Sequence, residues 1–179
     1  MWSLRKKLEI PGPEQCLPGR AIKMRVPDQH FVNGHRLDGP YPAGLEEAVM
    51  AFTSRPGGSE RAGYFAFAMD DPRPAARRLE RIVAWRCRTL ALPYGDQGLL
   101  IARSLYDAVG GFAPIPLMED VDFVRRLGRY RLMPIAAPII CSARRYRREG
   151  YLRRPLRNLL CLSLYFAGVP PQRVARFYD

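Results

Sequence analysis

The fold is decided by residues 93–126, which begin with Pro93-Tyr94-Gly95-Asp96-Gln97-Gly98, continue with Leu99-Leu100-Ile101 and, after Gly110-Gly111, reach Leu117-Met118-Glu119-Asp120-Val121. The two glycines of the first motif permit backbone conformations that other residues avoid, so a tight polar turn is predicted before a short buried strand. Carboxylates favour helix N-termini, whose N–H groups are unpaired, so a helix is predicted from about residue 119 to 130. A polar turn followed by an acidic helix start is typical of a functional site, and the alternative is that Glu119, Asp120 and Asp122 are simple helix-start residues.

The flanking sequence predicts alternating helices and strands. Hydrophobic periodicity and turn residues predict helices at 45–52, 74–92, 151–169 and 172–178, and a strand at 64–69. Ser104 is the expected N-cap of a short helix that ends at Gly110-Gly111, with Asp107 completing a capping box. Pro134 and Pro138 limit residues 132–140 to two short edge strands. The sequence thus predicts one α/β domain over 1–179, with an irregular part at 1–40 and a regular part at 41–179.

Charge is the most unusual feature of the composition. The formal net charge is +12, and residues 123–179 hold thirteen arginines against only Glu149 and Asp179. Such an excess favours an anionic partner, namely a nucleotide diphosphate, an acidic lipid headgroup or a nucleic acid. No signal peptide and no apolar run long enough to cross a bilayer is visible, so a cytoplasmic location is expected, with association at the cytoplasmic membrane face as an alternative.

The spacing of the cysteines and histidines does not indicate a metal site. The four cysteines are widely spaced, without a Cys-x-x-Cys pair, at positions 16, 87, 141 and 161. This pattern argues against a zinc site or a disulfide framework and is typical of reduced thiols. His30 and His35 are interpreted as loop residues, because a metal motif needs several convergent ligands.

Several motifs in order resemble a known family: Tyr94-Gly95-Asp96-Gln97-Gly98, Gly110-Gly111-Phe112, Leu117-Met118-Glu119-Asp120-Val121 and Ser142-Ala143-Arg144-Arg145-Tyr146. Over about residues 63–179 they resemble family 2 glycosyltransferases, and in particular a bacterial family-2-like subgroup. The resemblance implies a GT-A-like, Rossmann-like mixed sheet flanked by helices. The strand–helix–strand pattern with which that family begins is missing here, so the nucleotide-binding N-terminal half is expected to be divergent or truncated.

The resemblance implies a hexosyltransferase-type reaction that moves a sugar from a nucleotide-diphosphate donor to a hydroxyl acceptor with inversion. Asp120 corresponds to the family's catalytic base, with Glu119 beside it, and a carboxylate is chemically suited to take the proton of an attacking hydroxyl. Asp96 and Gln97 correspond to the border of the acceptor site. A lipid-linked acceptor is one expectation.

Further ligand contacts follow from the resemblance. Arg144 and Arg145 match a loop near the donor site, where guanidinium groups would bind the donor phosphates. Asp38 corresponds to the metal motif, which implies Mg²⁺ or Mn²⁺ held by oxygen ligands. A solvated basic loop and a lipid-docking loop remain alternatives for the arginine cluster.

Two other functions stay open at this point. One is a catalytically inactive remnant that acts as a binding or assembly module, and the other is a basic protein that binds a membrane or nucleic-acid surface. The predicted helix at 151–169 has an apolar face with basic residues near its start. We interpret this face as core, with an interfacial peripheral-membrane helix as the alternative.

Overall fold

The computed structural model describes the backbone of residues 30–33 and all of residues 44–178. Within these residues the helices and strands are, in chain order, β1 (His30–Asn33), α1 (Leu45–Thr53), β2 (Ala62–Met69), α2 (Pro74–Leu90), β3 (Leu99–Ala102), α3 (Arg103–Val109), α4 (Glu119–Leu127), β4 (Leu132–Cys141), α5 (Arg144–Glu149), α6 (Arg153–Phe166) and α7 (Pro171–Ala175). The polar turn predicted before β3 is a single 3-10 turn, Gly95–Gln97.

The sheet is mixed, with the strand order β1-β3-β2-β4. Strand β3 pairs antiparallel with both β1 and β2, and β4 lies parallel to β2 at the edge. Helices cover both faces, because Leu100 packs with α1 whereas its neighbours Leu99 and Ile101 pack with α2 on the other side. The predicted α/β class, a mixed sheet flanked by helices, is therefore confirmed. The single-domain organisation over 1–179 stays a prediction, since residues 1–29 and 34–43 lie outside the described part.

Strand β4 differs from the two short strands expected at 132–140. It is one strand of ten residues, and its pairing with β2 shifts between Phe65 and Ala66, which face Ile135 and Pro138. Two residues of β4 have no paired partner in β2 at this point. This β-bulge lets the strand continue past its prolines without ending. The edge position of β4 was predicted correctly. Proline has no backbone N–H to donate, and an edge strand tolerates this loss.

Three local predictions are wrong. Helix α3 begins at Arg103 and has Ala102 at its N-cap without a side-chain cap. The Asp107 carboxylate instead binds the Arg103 guanidinium at 2.9 Å, which replaces the expected capping box. Residues 30–33 form β1, within a region expected to be irregular, and residues 144–149 form α5, where a loop was expected.

Helix α6 also departs from its core interpretation. Its leucines at 156, 159 and 160 are exposed, and its described buried side chains are Cys161 and Leu162. The amphipathic spacing of a sequence shows that a helix has an apolar face, but it does not show whether that face packs against the rest of the protein. Among the described helices, none has both the length and the apolar character needed to cross a bilayer.

Candidate functional site

The turn at 94–98 is built around the buried amide of Gln97, which is 1% exposed. Its Oε1 accepts hydrogen bonds from Arg86 Nη2 at 3.0 Å, from Cys87 Sγ at 3.2 Å and from the Tyr94 N–H at 3.2 Å. Its Nε2 donates to the Phe65 carbonyl at 3.2 Å. Gln97 therefore ties the turn to both β2 and α2, which makes it a positioning residue for Asp96 beside it.

The first turn of α4 brings Asp120 to the turn at 94–98. Asp120 Oδ2 accepts the Gly95 N–H at 2.7 Å, and its Oδ1 accepts the Val121 N–H at 2.8 Å. Met118, the residue before α4, has φ 68°, a left-handed conformation that is uncommon without glycine. This strained entry places Glu119 and Asp120 in the first helical turn, and such strain is frequent at functional sites.

Asp96 lies at the centre of a group of polar side chains that we call the Asp96 cluster: Asp96, Asp120, Arg86, Arg154, Tyr94 and Tyr146. Asp96 is exposed by surface area, but the protein packed around its carboxyl raises the pKa of that group. The Arg86 guanidinium lowers this pKa and the Asp120 carboxylate raises it, and the net shift is upward. The pair thus resembles two carboxylates that share one site.

The pKa values of the two tyrosines in the Asp96 cluster are also raised. Burial and the nearby Asp96 carboxylate raise the pKa of Tyr146 to about 12. Burial also raises the pKa of Tyr94, whose ring lies 3.4 Å from the Arg86 guanidinium. Both phenols therefore stay protonated at neutral pH and can donate hydrogen bonds.

The structure brings together only part of the predicted site. Asp96 and Asp120 belong to the cluster, and Gln97 supports it from the buried side. Arg144 and Arg145 are exposed on α5. Asp38 lies outside the described residues. The roles predicted for these residues and for Glu119 stay predictions.

Sequence reasoning missed Arg86 and Arg154. Arg86 was not singled out by the sequence, yet its guanidinium lies against Gln97 and Tyr94. A signal was present, because residues 79, 83 and 86 follow the helical spacing of the buried stripe. Arg154 had no such signal, since α5 and α6 must first pack before it approaches Asp96.

The described thiols are poor nucleophiles. The Cys141 Sγ lies 3.3 Å from the Asp96 carbonyl oxygen, and burial with the Asp96 carboxylate raises its pKa to about 12. Burial also raises the pKa of Cys87 and of Cys161. Because the thiolate is the reactive form, these three side chains are largely unreactive at neutral pH.

Metal ligands are sparse in the described part of the chain. Residues 44–178 contain no group of three or more His, Cys, Asp or Glu side chains that could hold a metal ion. Asp96 and Asp120 supply two carboxylates, which is fewer than a protein-held Mg²⁺ or Mn²⁺ site with several oxygen ligands would use. The predicted cation stays a prediction that depends on Asp38.

Several curated proteins similar to this chain are named as one class of enzyme. The peptide methionine sulfoxide reductase MsrA 1 of Caulobacter vibrioides is 55% identical over 51 residues, which is 28% of this chain and 24% of that protein. The MsrA proteins of Pseudomonas aeruginosa and of a Methylobacterium species are 53% and 49% identical, over 26% and 28% of this chain and 22% and 23% of their own lengths. The chain therefore spans about a quarter of the length of the curated relatives it matches. No family model and no solved structure matches it.

These comparisons correct the family expected from the motifs. The relatives are named as reductases, so the glycosyltransferase assignment, its hexosyltransferase activity and its nucleotide-sugar partner are wrong. The inactive transferase remnant and the basic surface-binding protein also receive no support from them. The motifs misled because short glycine and carboxylate patterns mark turns and helix starts in many unrelated proteins.

Proposed function

We propose that the Asp96 cluster is an acid–base site at which Asp96 exchanges a proton with a small polar ligand. The observation that carries this proposal is the placement of two aspartates, Asp96 and Asp120, around one turn, with Asp120 anchored to the Gly95 N–H at 2.7 Å. A carboxyl whose pKa is raised toward neutral pH is a better proton donor and acceptor than an ordinary aspartate.

Each member of the cluster has a distinct role in this proposal. Asp120 is held by backbone donors and raises the pKa of Asp96, while Arg86 lowers it, so the two together tune the proton affinity of Asp96. The protonated phenols of Tyr94 and Tyr146 would orient the ligand through hydrogen bonds. Glu119 extends the acidic edge of the site, and Arg144 and Arg145 would contact an anionic group of a larger ligand.

A ligand screen read out by NMR tests this proposal. Small alcohols, carboxylates and phosphate esters are screened against the wild type, Asp96→Asn and the control Asp107→Asn, whose carboxylate pairs with Arg103 on the surface. We expect at least one class to bind with a pH midpoint that equals the Asp96 pKa, and the Asp96→Asn variant to lose this midpoint. Binding that is indifferent to Asp96→Asn, or no binding by any class, would contradict the proposal.

A second candidate is the reduction of peptide methionine sulfoxide, which the names of the relatives favour. Converting a sulfoxide to a thioether consumes two electrons and two protons and releases water. Two thiols can supply the electrons by forming a disulfide, and the Asp96 carboxyl, whose charge acts on Cys141, would be the proton donor. The raised pKa of each described thiol opposes this candidate, whereas Cys16 lies outside the described residues.

A direct assay separates the two candidates. A peptide that contains methionine sulfoxide is incubated with the protein and dithiothreitol, and the thioether product is quantified by chromatography. Turnover that disappears in Cys141→Ser or in Cys16→Ser would support reduction and identify the reacting thiol. An absence of turnover in the wild type would remove this candidate and leave the acid–base proposal intact. Under either candidate a cytoplasmic location, where thiols stay reduced, remains part of the proposal.

A further inference from the structure

The loop at residues 110–118 joins α3 to α4 and leads into the helical turn that carries Asp120. It begins with two successive glycines in the left-handed region, Gly110 at φ 87° and Gly111 at φ 63°. A Cβ on Gly111 would lie 3.1 Å from the Tyr106 hydroxyl oxygen, so both the backbone conformation and the space at this position favour glycine. The path of the chain at the start of the loop is therefore closely specified.

Arg126, near the end of α4, binds the start of this loop through its guanidinium group. Its Nη1 donates to the Val109 carbonyl at 2.6 Å, and its Nη2 donates to the Gly111 carbonyl at 2.7 Å. The last carbonyls of a helix have no partner within that helix, so Arg126 supplies donors where α3 ends. The planar guanidinium can reach both oxygens at once because its donors form a fixed fork.

The same guanidinium also binds the first part of α4. Arg126 Nε and Nη2 lie 2.9 and 2.7 Å from Asp122 Oδ2, which makes an ion pair between residues four apart on the helix. The two side chains are 35% and 25% exposed, so solvent screens the pair only in part. Arg126 therefore ties the end of α3 and the start of the loop to the turn of α4 that follows Met118.

These contacts enclose the strained entry to α4. Met118 has φ 68°, and its carbonyl accepts the Asp122 N–H at 2.9 Å. A left-handed residue other than glycine persists only where the surrounding structure holds it. Asp122 is thus bound by Arg126 through its side chain and by Met118 through its backbone. Asp120 lies between Met118 and Asp122, with its Oδ2 on the Gly95 N–H at 2.7 Å.

We propose that Arg126 is a positioning residue of the Asp96 cluster, which fixes the first turn of α4 and so holds the Asp120 carboxylate against the turn at 94–98. Arg126 acts through Asp120, since its guanidinium is engaged with the loop carbonyls and Asp122. Because these contacts need a planar fork and not only a positive charge, lysine should not replace arginine here. The meaning of this positioning for proton exchange rests on the acid–base function proposed above.

The titration of Asp96, followed by carbon NMR without any ligand, tests this role by the direction of its shift. Removing a positive charge alone would raise the Asp96 midpoint, whereas releasing Asp120 from its place should lower it. We expect Arg126→Gln and Arg126→Lys each to lower the midpoint by about half or more of the shift that Asp120→Asn produces. In the Asp120→Asn background Arg126→Gln should no longer lower it, because the effect passes through Asp120. The control is Arg103→Gln, which breaks a surface ion pair of the same spacing with Asp107 and should leave the midpoint unchanged.

Hydrogen exchange separates local positioning from a general loss of stability. In both Arg126 variants the exchange of the Gly95 amide should accelerate by about tenfold or more relative to that of the Leu100 amide in the buried strand β3. If Arg126→Gln does not fold, Arg126→Lys, which keeps the charge, gives the same two readouts. Equal acceleration at both amides, or an Asp96 midpoint that stays the same or rises, would overturn the proposal. A lowered midpoint in a protein that binds no ligand in the screen would support the positioning role and contradict only the acid–base function.

Discussion

Asp71 and Asp96 are both aspartates with arginines nearby, yet the protein shifts their pKa values in opposite directions. Asp71 is only 3% exposed, but the Tyr151 hydroxyl donates to it at 2.7 Å and the Arg73 N–H at 3.0 Å, and these bonds lower its pKa. Asp96 is more exposed, and the surrounding protein raises its pKa. Hydrogen-bond donors to the carboxylate, rather than exposure, decide which charge state the fold favours.

The difference separates a structural carboxylate from one that we propose to be reactive. Asp71 joins the end of β2 to Tyr151, before α6, and is further balanced by Arg147 of α5, whose guanidinium lies at 3.7 Å. Asp96 accepts a hydrogen bond from its own backbone N–H, which joins no second element, and Asp120 beside it works against its ionisation. A group whose charged form the fold disfavours costs stability, and such costs are common at functional sites.

The largest effect is expected for the side chain that holds Asp96 in place. Gln97→Ala removes partners from the Phe65 carbonyl, Arg86 and the Tyr94 N–H inside the protein, so we expect a loss of about 3 kcal/mol in the free energy of unfolding. Urea denaturation measures it. The control is Gln172→Ala, an exposed residue of α7, which should change stability by less than about 0.5 kcal/mol. Equal effects of the two would show that the Gln97 amide does not organise the turn.

The Asp71→Asn variant should lower the melting temperature at neutral pH by less than Gln97→Ala does. Since the folded pKa of Asp71 lies below its ordinary value of 3.8, its stabilisation is complete above that pH and is lost as the pH falls through the folded pKa. We therefore expect the melting curves of wild type and Asp71→Asn to converge on acidification to below about pH 4. A constant difference at all pH values would argue against a charged Asp71.

The Asp96→Asn substitution should change the melting temperature in the opposite direction from Asp71→Asn. Above the raised folded pKa of Asp96, the fold holds a carboxylate that it disfavours, so replacing it with a neutral amide should raise the melting temperature slightly at pH 7. The gain should vanish on acidification, when Asp96 takes up its proton. The surface control Asp107→Asn should show neither trend. Destabilisation by Asp96→Asn at neutral pH would remove the contrast with Asp71.

The smallest expected effect is a shift in the titration midpoint of Asp96 when Asp120 is replaced. Carbon NMR of the aspartate carboxyls should give an Asp96 midpoint above 3.8 and an Asp71 midpoint below it. Because the Asp120 carboxylate raises the pKa of Asp96, Asp120→Asn should lower the Asp96 midpoint. The Asp71 midpoint serves as the internal reference and should not move. An unchanged Asp96 midpoint would show that the two carboxylates are not coupled.

Part of this protein follows from the sequence alone. The strand at 99–102, the helix starting at Glu119 and the polar turn between Tyr94 and Gly98 were predicted, because periodicity, glycine and helix-start preferences act over a few residues. Asp96 and Asp120 were also predicted as site residues, and that role stays a prediction. Their chemical assignment was less successful, since a local motif does not specify what reacts there.

Tertiary structure alone decided the charge states and the exposed faces. The Gly95 N–H meets Asp120 across 25 positions of chain, and the Tyr151 hydroxyl meets Asp71 across 80. Arg86 and Arg154 influence Asp96 only because α2 and α6 pack where they do, and the same packing turns the leucines of α6 outward. Periodicity shows that a helix has two faces, but which face is covered, and which carboxyl gains a donor, depends on partners distant in the sequence.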